Sequence, residues 1–260
     1  MSGVKKPPNG VKATAEKSAV RRPAPPLMPQ SVRKLDPSPA LSSGLGLTSD
    51  RALLRMVERL RGIGIKDEAV LLAMAAVPRH EFVDEAFASR AYEDAALPIG
   101  HRQTISSPVT VAKMLELLRG AAKPVETVLE VGSGCGYQAA VLSKLFKSVH
   151  SIERLESLYL KAKEHLKRTG FKSVGLLYGD GMAGLPGQAP FDAIIVAAAG
   201  LQVPQQLLEQ LQVGGRMVLP VVEGSKQVLA VIDRLGPAKW HRENKDIVNF
   251  VPLLNGTIAK

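Results

Sequence analysis

The sequence predicts an α/β protein: a doubly wound, mostly parallel sheet with helices on both faces. Three observations lead there. From Glu126 onward, apolar β-branched runs alternate with helical ones. A glycine-rich loop follows the first such run and opens a helix. Acids stand at the ends of the first three runs, as Glu130, Glu153 and Asp180, where ligands of such sheets gather.

Residues 1–47 are rich in Pro, Lys, Arg, Ser and Ala and nearly free of periodic apolar residues. Such a segment cannot bury enough surface to offset its ordering entropy, so a disordered basic extension is expected. Residues 48–260 are then one domain. The formal net charge is +10, and half of that excess lies in residues 1–50, where eight Lys/Arg face three acids. An anionic partner would need the charge gathered on a folded face, which this distribution does not offer.

In the domain, "SDRALLRMVERLRG" places a capping residue before apolar positions at helical spacing and stops at Gly62; "KDEAVLLAMAAV" repeats the device before Pro78. An irregular stretch follows. Then come the strand "TVLEV" with a helix through Leu145, "SVHSIE" with the helix "RLESLYLKAKEHLKRTG", and "SVGLLYGD". Next are "FDAIIVAAA" with a helix from about Pro204 to Leu211, and "GRMVLPVV". "QVLAVIDRL" and "IVNFVPLL" have no long helix between them, which predicts an antiparallel closing pair.

Cys135 is the single cysteine, so no internal disulfide or cysteine-based zinc site forms, and a reducing, cytoplasmic setting is expected. The five histidines have no ligand-like spacing, and no metal is expected. No run is long and apolar enough to span a bilayer, so no membrane partner is expected.

Gly132, Gly134 and Gly136 spell G-x-G-x-G, short of the dinucleotide fingerprint, and no Gly-Lys-Ser/Thr follows. Charge is more decisive than spelling. Glu130 would repel a pyrophosphate but attract a ligand carrying an ammonium and a sulfonium. Glu153, about twenty residues on, suits the hydroxyls of a ribose, and Asp180 in "GDG" suits an adenine amino group. Three acids without a phosphate binder describe S-adenosylmethionine. Cys135 lies in this loop, where a helix N-terminus lowers a thiol pKa; a small tolerated side chain is the plainer reading and oxidation the alternative.

"YEDAALPIGHRQTISSPVTVAKMLELL" (92–118), "VLEVGSGCGYQAAVL" (128–142), "GDG", "PFDAIIVAAA", "GGRMVLPV" and "VPRHEFVDEAF" (77–87) together resemble the protein-L-isoaspartate O-methyltransferases. The resemblance runs from about Asp50 to Gly256, and its specific part is the "PIG..QTIS.P" pattern. It implies a seven-stranded, Rossmann-like class I methyltransferase fold and a monomer. The implied activity is repair of damaged proteins by methylation of the free α-carboxylate of L-isoaspartyl residues. S-adenosylhomocysteine would be the coproduct, with isoaspartyl proteins and peptides as partners and no dedicated nucleic acid.

Carried onto this chain, the family's reactive-site serine is Ser106, with Thr104 and His101 beside the substrate and Ser107 as the helix cap. The resemblance places the cofactor against Gln103, Thr104 and Ile105, then Glu130, Gly132, Ser133 and Gly134. Farther along it implies Glu153 and Arg154, and Gly179, Asp180 and Gly181. The carboxylate acceptor is ionised at neutral pH, so positioning rather than a general base is what it requires. "NFVPLL" (249–254) is read either as an edge for the extended peptide or as a plain core strand. The chain departs from the family in Cys135, where serine is usual, and in "AAAGLQVP", where Ala-Ala-Pro is more frequent; the latter leaves the substrate rim open. Another acceptor, a small molecule or a nucleic-acid base, is the alternative within the fold. A nucleic-acid-binding protein using the basic extension is the alternative outside it.

Overall fold

In the computed structural model the described residues are Gly3 and 46–259. Most of the expected basic extension therefore lies outside the described residues. Its last two positions already belong to the first helix, α1 (Gly46–Gly62). The helix ends at the glycine that the sequence marks as its stop. Helix α2 (Glu68–Ala75) is capped by Asp67, whose carboxylate accepts from Ala69 N and Val70 N.

A two-stranded hairpin follows, β1 (Leu97–Gly100) and β2 (Gln103–Ile105), paired antiparallel. Helix α3 (Pro108–Arg119) starts on Ser107, which accepts from Thr110 N, with Pro108 in the first turn where its missing N–H is no loss. Arg119 pairs with Asp67 at 2.6 Å and so ties α3 to the cap of α2.

The main sheet uses β3 (Thr127–Val131), β4 (Ser148–Glu153), β5 (Val174–Tyr178), β6 (Phe191–Val196), β7 (Leu211–Glu223), β8 (Lys226–Gly236) and β9 (Lys239–Val248). The seven strands lie in the order β5-β4-β3-β6-β7-β8-β9; the first five are parallel, and β8 pairs antiparallel with both β7 and β9. Helices α4 (Tyr137–Leu145), α5 (Glu156–Arg168) and α6 (Gln205–Gln210) fill the crossovers. Period-two alternation assigns the two faces. Val128, Ala193, Ile195, Val218 and Val231 pack into the core shared with α1 through α5. Leu129, Ile194, Val196, Met217 and Leu219 face Leu207 of α6.

The closing pair differs from expectation. β8 does pair antiparallel with β7, but its partner on the other side is the charged run 239–248, and only Ile247 and Val248 of "IVNFVPLL" belong to a strand. Residues 249–258 instead form an extended strap. It pairs with Ala199 through Ala199 N to Val251 O and Leu253 N to Ala199 O, both at 2.8 Å. Farther on, it meets the chain after β4 through Ile258 N to Arg154 O at 2.9 Å. The strand order reverses between β3 and β6, and there the strap and the hairpin flank the carboxyl ends of the sheet.

Candidate active site

Two adjoining hollows open at this reversal. The larger, about 950 Å³ with its mouth included, is bounded by the glycine loop, the ends of β4 and β6, the hairpin and the strap. The smaller, about 380 Å³, lies between Ala96, the start of α3 and Asn249 to Val251. Thr104, Ser106, Ala197 and Val251 line both. Ser106 is half-buried, its hydroxyl makes no hydrogen bond among the described residues, and its neighbour Ser107 is occupied as the cap of α3.

The glycine loop turns from β3 to α4 with left-handed backbone at Gly132, Gly134 and Gly136. At Gly136 the requirement is doubled, because a side chain would also meet Ala162 and Leu166 of α5 at 3.3 Å. This close approach brings the loop under Glu153. The carboxylate of Glu153 accepts from Gly134 N at 2.9 Å and from Leu155 N at 3.0 Å, which fixes it at the lip of the larger hollow. Each carboxylate oxygen keeps a further acceptor position for a ligand.

Glu130 lies one layer lower. It is fully buried in β3, beneath the hollow rather than lining it. One oxygen accepts from Ser151, which in turn accepts from Ser133 at 2.5 Å, and Ser133 lines the hollow. The other oxygen, Oε1, is buried without a partner. Burial pushes the carboxyl up to about 8, with a smaller push from the nearby Glu153 charge, against the opposing hydrogen bond of Ser151. An orphaned buried acid beneath the cleft suits a cationic ligand above it.

The sequence-predicted residues divide clearly. Gln103, Thr104, Ile105, Ser106, Gly132, Ser133, Gly134, Glu153, Arg154 and Gly181 line the larger hollow. Gly179 and Asp180 do not: Asp180 accepts from Met182 N at 2.9 Å and, with its other oxygen, from Gly256 N at 2.7 Å, so it latches the strap. Arg154 acts from the other side, donating to the carbonyls of Gly256 and Asn255 at 2.9 and 3.2 Å. His101 lines neither hollow. It is exposed at the hairpin tip with φ 51°, which turns the chain there. At Cys135 the plainer reading, a small side chain tolerated in the loop, fits and the alternative of a lowered pKa does not: it is 2% exposed, and burial pushes the thiol up to about 11. "NFVPLL" is neither edge strand nor core strand but supplies Val251 to Leu254 as one wall. Ala197 and Ala198, after β6, and Gln138 also line the larger hollow; they stand inside "PFDAIIVAAA" and "VLEVGSGCGYQAAVL" but carry no charge that singles them out.

Among the described residues no cluster of His, Cys, Asp and Glu is arranged to hold a metal, and no helix is long and apolar enough to cross a membrane.

Comparison with known proteins agrees with this geometry. The family profile "Protein-L-isoaspartate(D-aspartate) O-methyltransferase (PCMT)" matches residues 51–257. A Burkholderia pseudomallei protein-L-isoaspartate O-methyltransferase is 56% identical over 230 residues, covering 88% of this chain and 71% of its own. One from Burkholderia thailandensis is 52% identical over 256 residues, covering 97% and 76%. Among solved structures, a chain from Plasmodium falciparum assigned to the same activity and bound to S-adenosyl-L-homocysteine superposes with TM-score 0.68 at 26% identity, covering 77% of this chain and 97% of that one. A second protein-L-isoaspartate O-methyltransferase gives 0.69 at 29% identity, covering 76% and 64%. The hollows, the orphaned acid under a glycine loop and these matches agree: the chain belongs to the protein-L-isoaspartate O-methyltransferase family.

Proposed function

We propose that Ser106 is the acceptor-side residue of this protein-repair methyltransferase, at the junction between a donor hollow and an acceptor hollow. The enzyme methylates the free α-carboxylate of L-isoaspartyl residues in damaged proteins and peptides. The ester then closes to a succinimide, and part of the succinimide returns to L-aspartyl. The observation that carries the assignment of Ser106 is its place on the wall of both hollows, with a hydroxyl that makes no hydrogen bond among the described residues.

When bound, S-adenosylmethionine supplies an electrophilic methyl group on a sulfonium and leaves as S-adenosylhomocysteine. The residues of the larger hollow suit it: an acid, Glu153, apolar walls, and a cation, Arg154, whose guanidinium is engaged by the strap carbonyls of Gly256 and Asn255. Glu153 would receive the ribose hydroxyls, the loop Gly132–Gly134 would hold the amino-acid portion, and Gln103 and Ile105 would flank the methyl donor. Glu130 is linked to the floor of the hollow through Ser151 and Ser133, and a cation bound above it would favour its ionised form. On the other side Ser106 and Thr104 donate to one carboxylate oxygen and leave the second free to attack. No proton has to be removed, because a carboxylate with a reference pKa near 4 is already ionised at neutral pH. The contribution of the protein is orientation and exclusion of water by hairpin and strap. His101 is kept as a solvent-side contact of the peptide, and Asp180 and Arg154 as residues that reach the cofactor by holding the strap. The working form is a cytoplasmic monomer, a setting supported by the lone cysteine.

The test is methyl transfer from labelled S-adenosylmethionine to two peptides of one sequence, one isoaspartyl and one aspartyl. Base-labile label on the isoaspartyl peptide alone is expected. Label on both, or on neither while the cofactor binds, would move the acceptor elsewhere.

A further inference from the structure

One buried charge has no part in the account above. Arg79, in the single-turn segment Arg79–Phe82, is 0% exposed. Its Nε donates to the Ala91 carbonyl at 2.7 Å and its Nη2 to the carbonyl of Ser106 at 2.6 Å. Its Nη1 is buried with no partner. The guanidinium lies 4.8 Å from the centre of the Tyr137 ring, which itself lines the donor hollow. No carboxylate among the described residues pairs with Arg79; the titratable groups facing it are Tyr137, Cys135 and Tyr92.

A buried cation without a counter-ion is a heavy desolvation penalty, and an apolar side chain would fill the same space without it. The uncompensated charge is bonded to the carbonyl of Ser106, a residue on the wall of both hollows, which points to an anion that arrives from outside. We infer that Arg79 is a positioning residue for the acceptor: it holds the Ser106 peptide in place, and its charge is completed by the carboxylate that Ser106 receives. This rests on the acceptor-side reading of Ser106.

The inference has a kinetic signature. In the reaction a carboxylate oxygen lone pair forms the new O–C bond, the C–S bonding pair passes to sulfur, and two opposite charges disappear without any proton moving. A fixed cation beside the carboxylate therefore favours the bound substrate more than the transition state, and it holds the neutral ester least. Arg79 lowers KM and aids release of the ester; it does not raise kcat.

The experiment compares the native chain with Arg79→Gln, Arg79→Lys and Ser106→Ala. The readouts are KM and kcat for an isoaspartyl peptide, cofactor Kd, and inhibition by the same peptide with its α-carboxyl amidated. Gln keeps a donor toward Ser106 and loses the charge. Its KM should rise about tenfold or more with kcat within about threefold and cofactor Kd unchanged, and the preference for carboxylate over amide should collapse. Arg79→Lys restores the charge and should bring KM back to within about threefold of native. Unchanged KM and preference in Arg79→Gln would overturn the inference, as would an equal loss in Arg79→Lys, which would make shape the cause. If Arg79→Gln does not fold, the carboxylate preference of Arg79→Lys decides alone, retention supporting the inference and loss overturning it. Ser106→Ala separates the two layers. Unchanged kcat/KM there removes the acceptor reading itself, whereas a large loss there beside an unaffected Arg79→Gln removes only the role of Arg79.

Discussion

The donor side of the cleft stands on strand ends inside the parallel sheet, whereas the acceptor side is assembled from a three-residue strand, a helix cap and an extended strap. On the donor side, Glu130 lies in β3, Glu153 ends β4 and Ala197 follows β6, strands whose neighbours are fixed by continuous ladders, and Ala197 N bonds to Val131 O at 2.8 Å. On the acceptor side, Ser106 is held by its own cap neighbour and by Arg79, and Val251 by Ala199. The difference teaches that electrostatic character comes from the rigid half and acceptor placement from the half with fewer backbone bonds. Substitutions in the two halves should therefore separate cofactor affinity from turnover.

The largest separation is expected at Ser106. Ser106→Ala should lower kcat/KM for isoaspartyl peptide by about 10²-fold, the scale of losing one positioned donor, while cofactor Kd by calorimetry stays within about twofold. Parallel losses in both would erase the division between the halves.

The strap blurs the division, since its latches Asp180 and Arg154 belong to the donor half but hold an acceptor-side wall. The pair Asp180→Ala with Arg154→Ala should raise cofactor Kd by about tenfold and hasten its dissociation in stopped flow, the cost of removing charge-assisted bonds at an exposed edge. If Asp180 acts on adenine rather than through the strap, the penalty of Asp180→Ala will vanish with a cofactor analogue lacking the adenine amino group. As a latch it persists.

Glu130 tests the rigid half alone. Its native carboxyl keeps its proton up to about pH 8, whereas the unfolded chain releases it near 4.5. The unfolded state therefore binds fewer protons across that window, and stability falls as pH rises through it. Glu130→Gln removes this loss. Without cofactor its Tm should exceed native by on the order of 5 °C at pH 8, and the gain should shrink toward pH 4.5. Cofactor affinity should fall at the same time. A variant less stable at pH 8 would contradict the burial argument. The smallest effect is expected at Cys135, whose raised pKa and burial keep it from reacting: mild peroxide should leave cofactor Kd unchanged in mass-checked protein.

The same contrast explains what was legible in the sequence. Parallel strands buried on both faces appear as apolar runs, so β3, β4 and β6, and the acids Glu130 and Glu153 within the first two, are read directly from residue type and spacing. Strand β9 is not. As the edge of the sheet it carries His241, Arg242, Glu243, Asn244, Lys245 and Asp246, all exposed, which is how an edge avoids pairing with another chain but is also how it hides from a hydrophobicity pattern. "NFVPLL" has the composition of a strand because it packs against the cleft, while its backbone bonds go to Ala199 and its neighbours rather than to a ladder. Asp180 was recognised as a functional acid at a strand end, yet its partner is the backbone of Gly256, 76 positions away, which no local pattern reveals. Arg79 was visible only within a family motif. Nothing in "VPRHEF" says that its guanidinium reaches Ser106, because that contact depends on how the segment packs under the hairpin.

The strap also sets an order of events. Residues 249–258 bridge the ends of β4, β5 and β6, all of which leave the ribosome earlier. A growing chain can lay down the parallel strands and the glycine loop while the cleft still has no wall on one side. The wall on that side, and with it a pocket shielded from water, arrives only when residues 249–258 have been synthesised, so an enzyme devoted to mending aged proteins completes its parallel sheet before it encloses its own cleft.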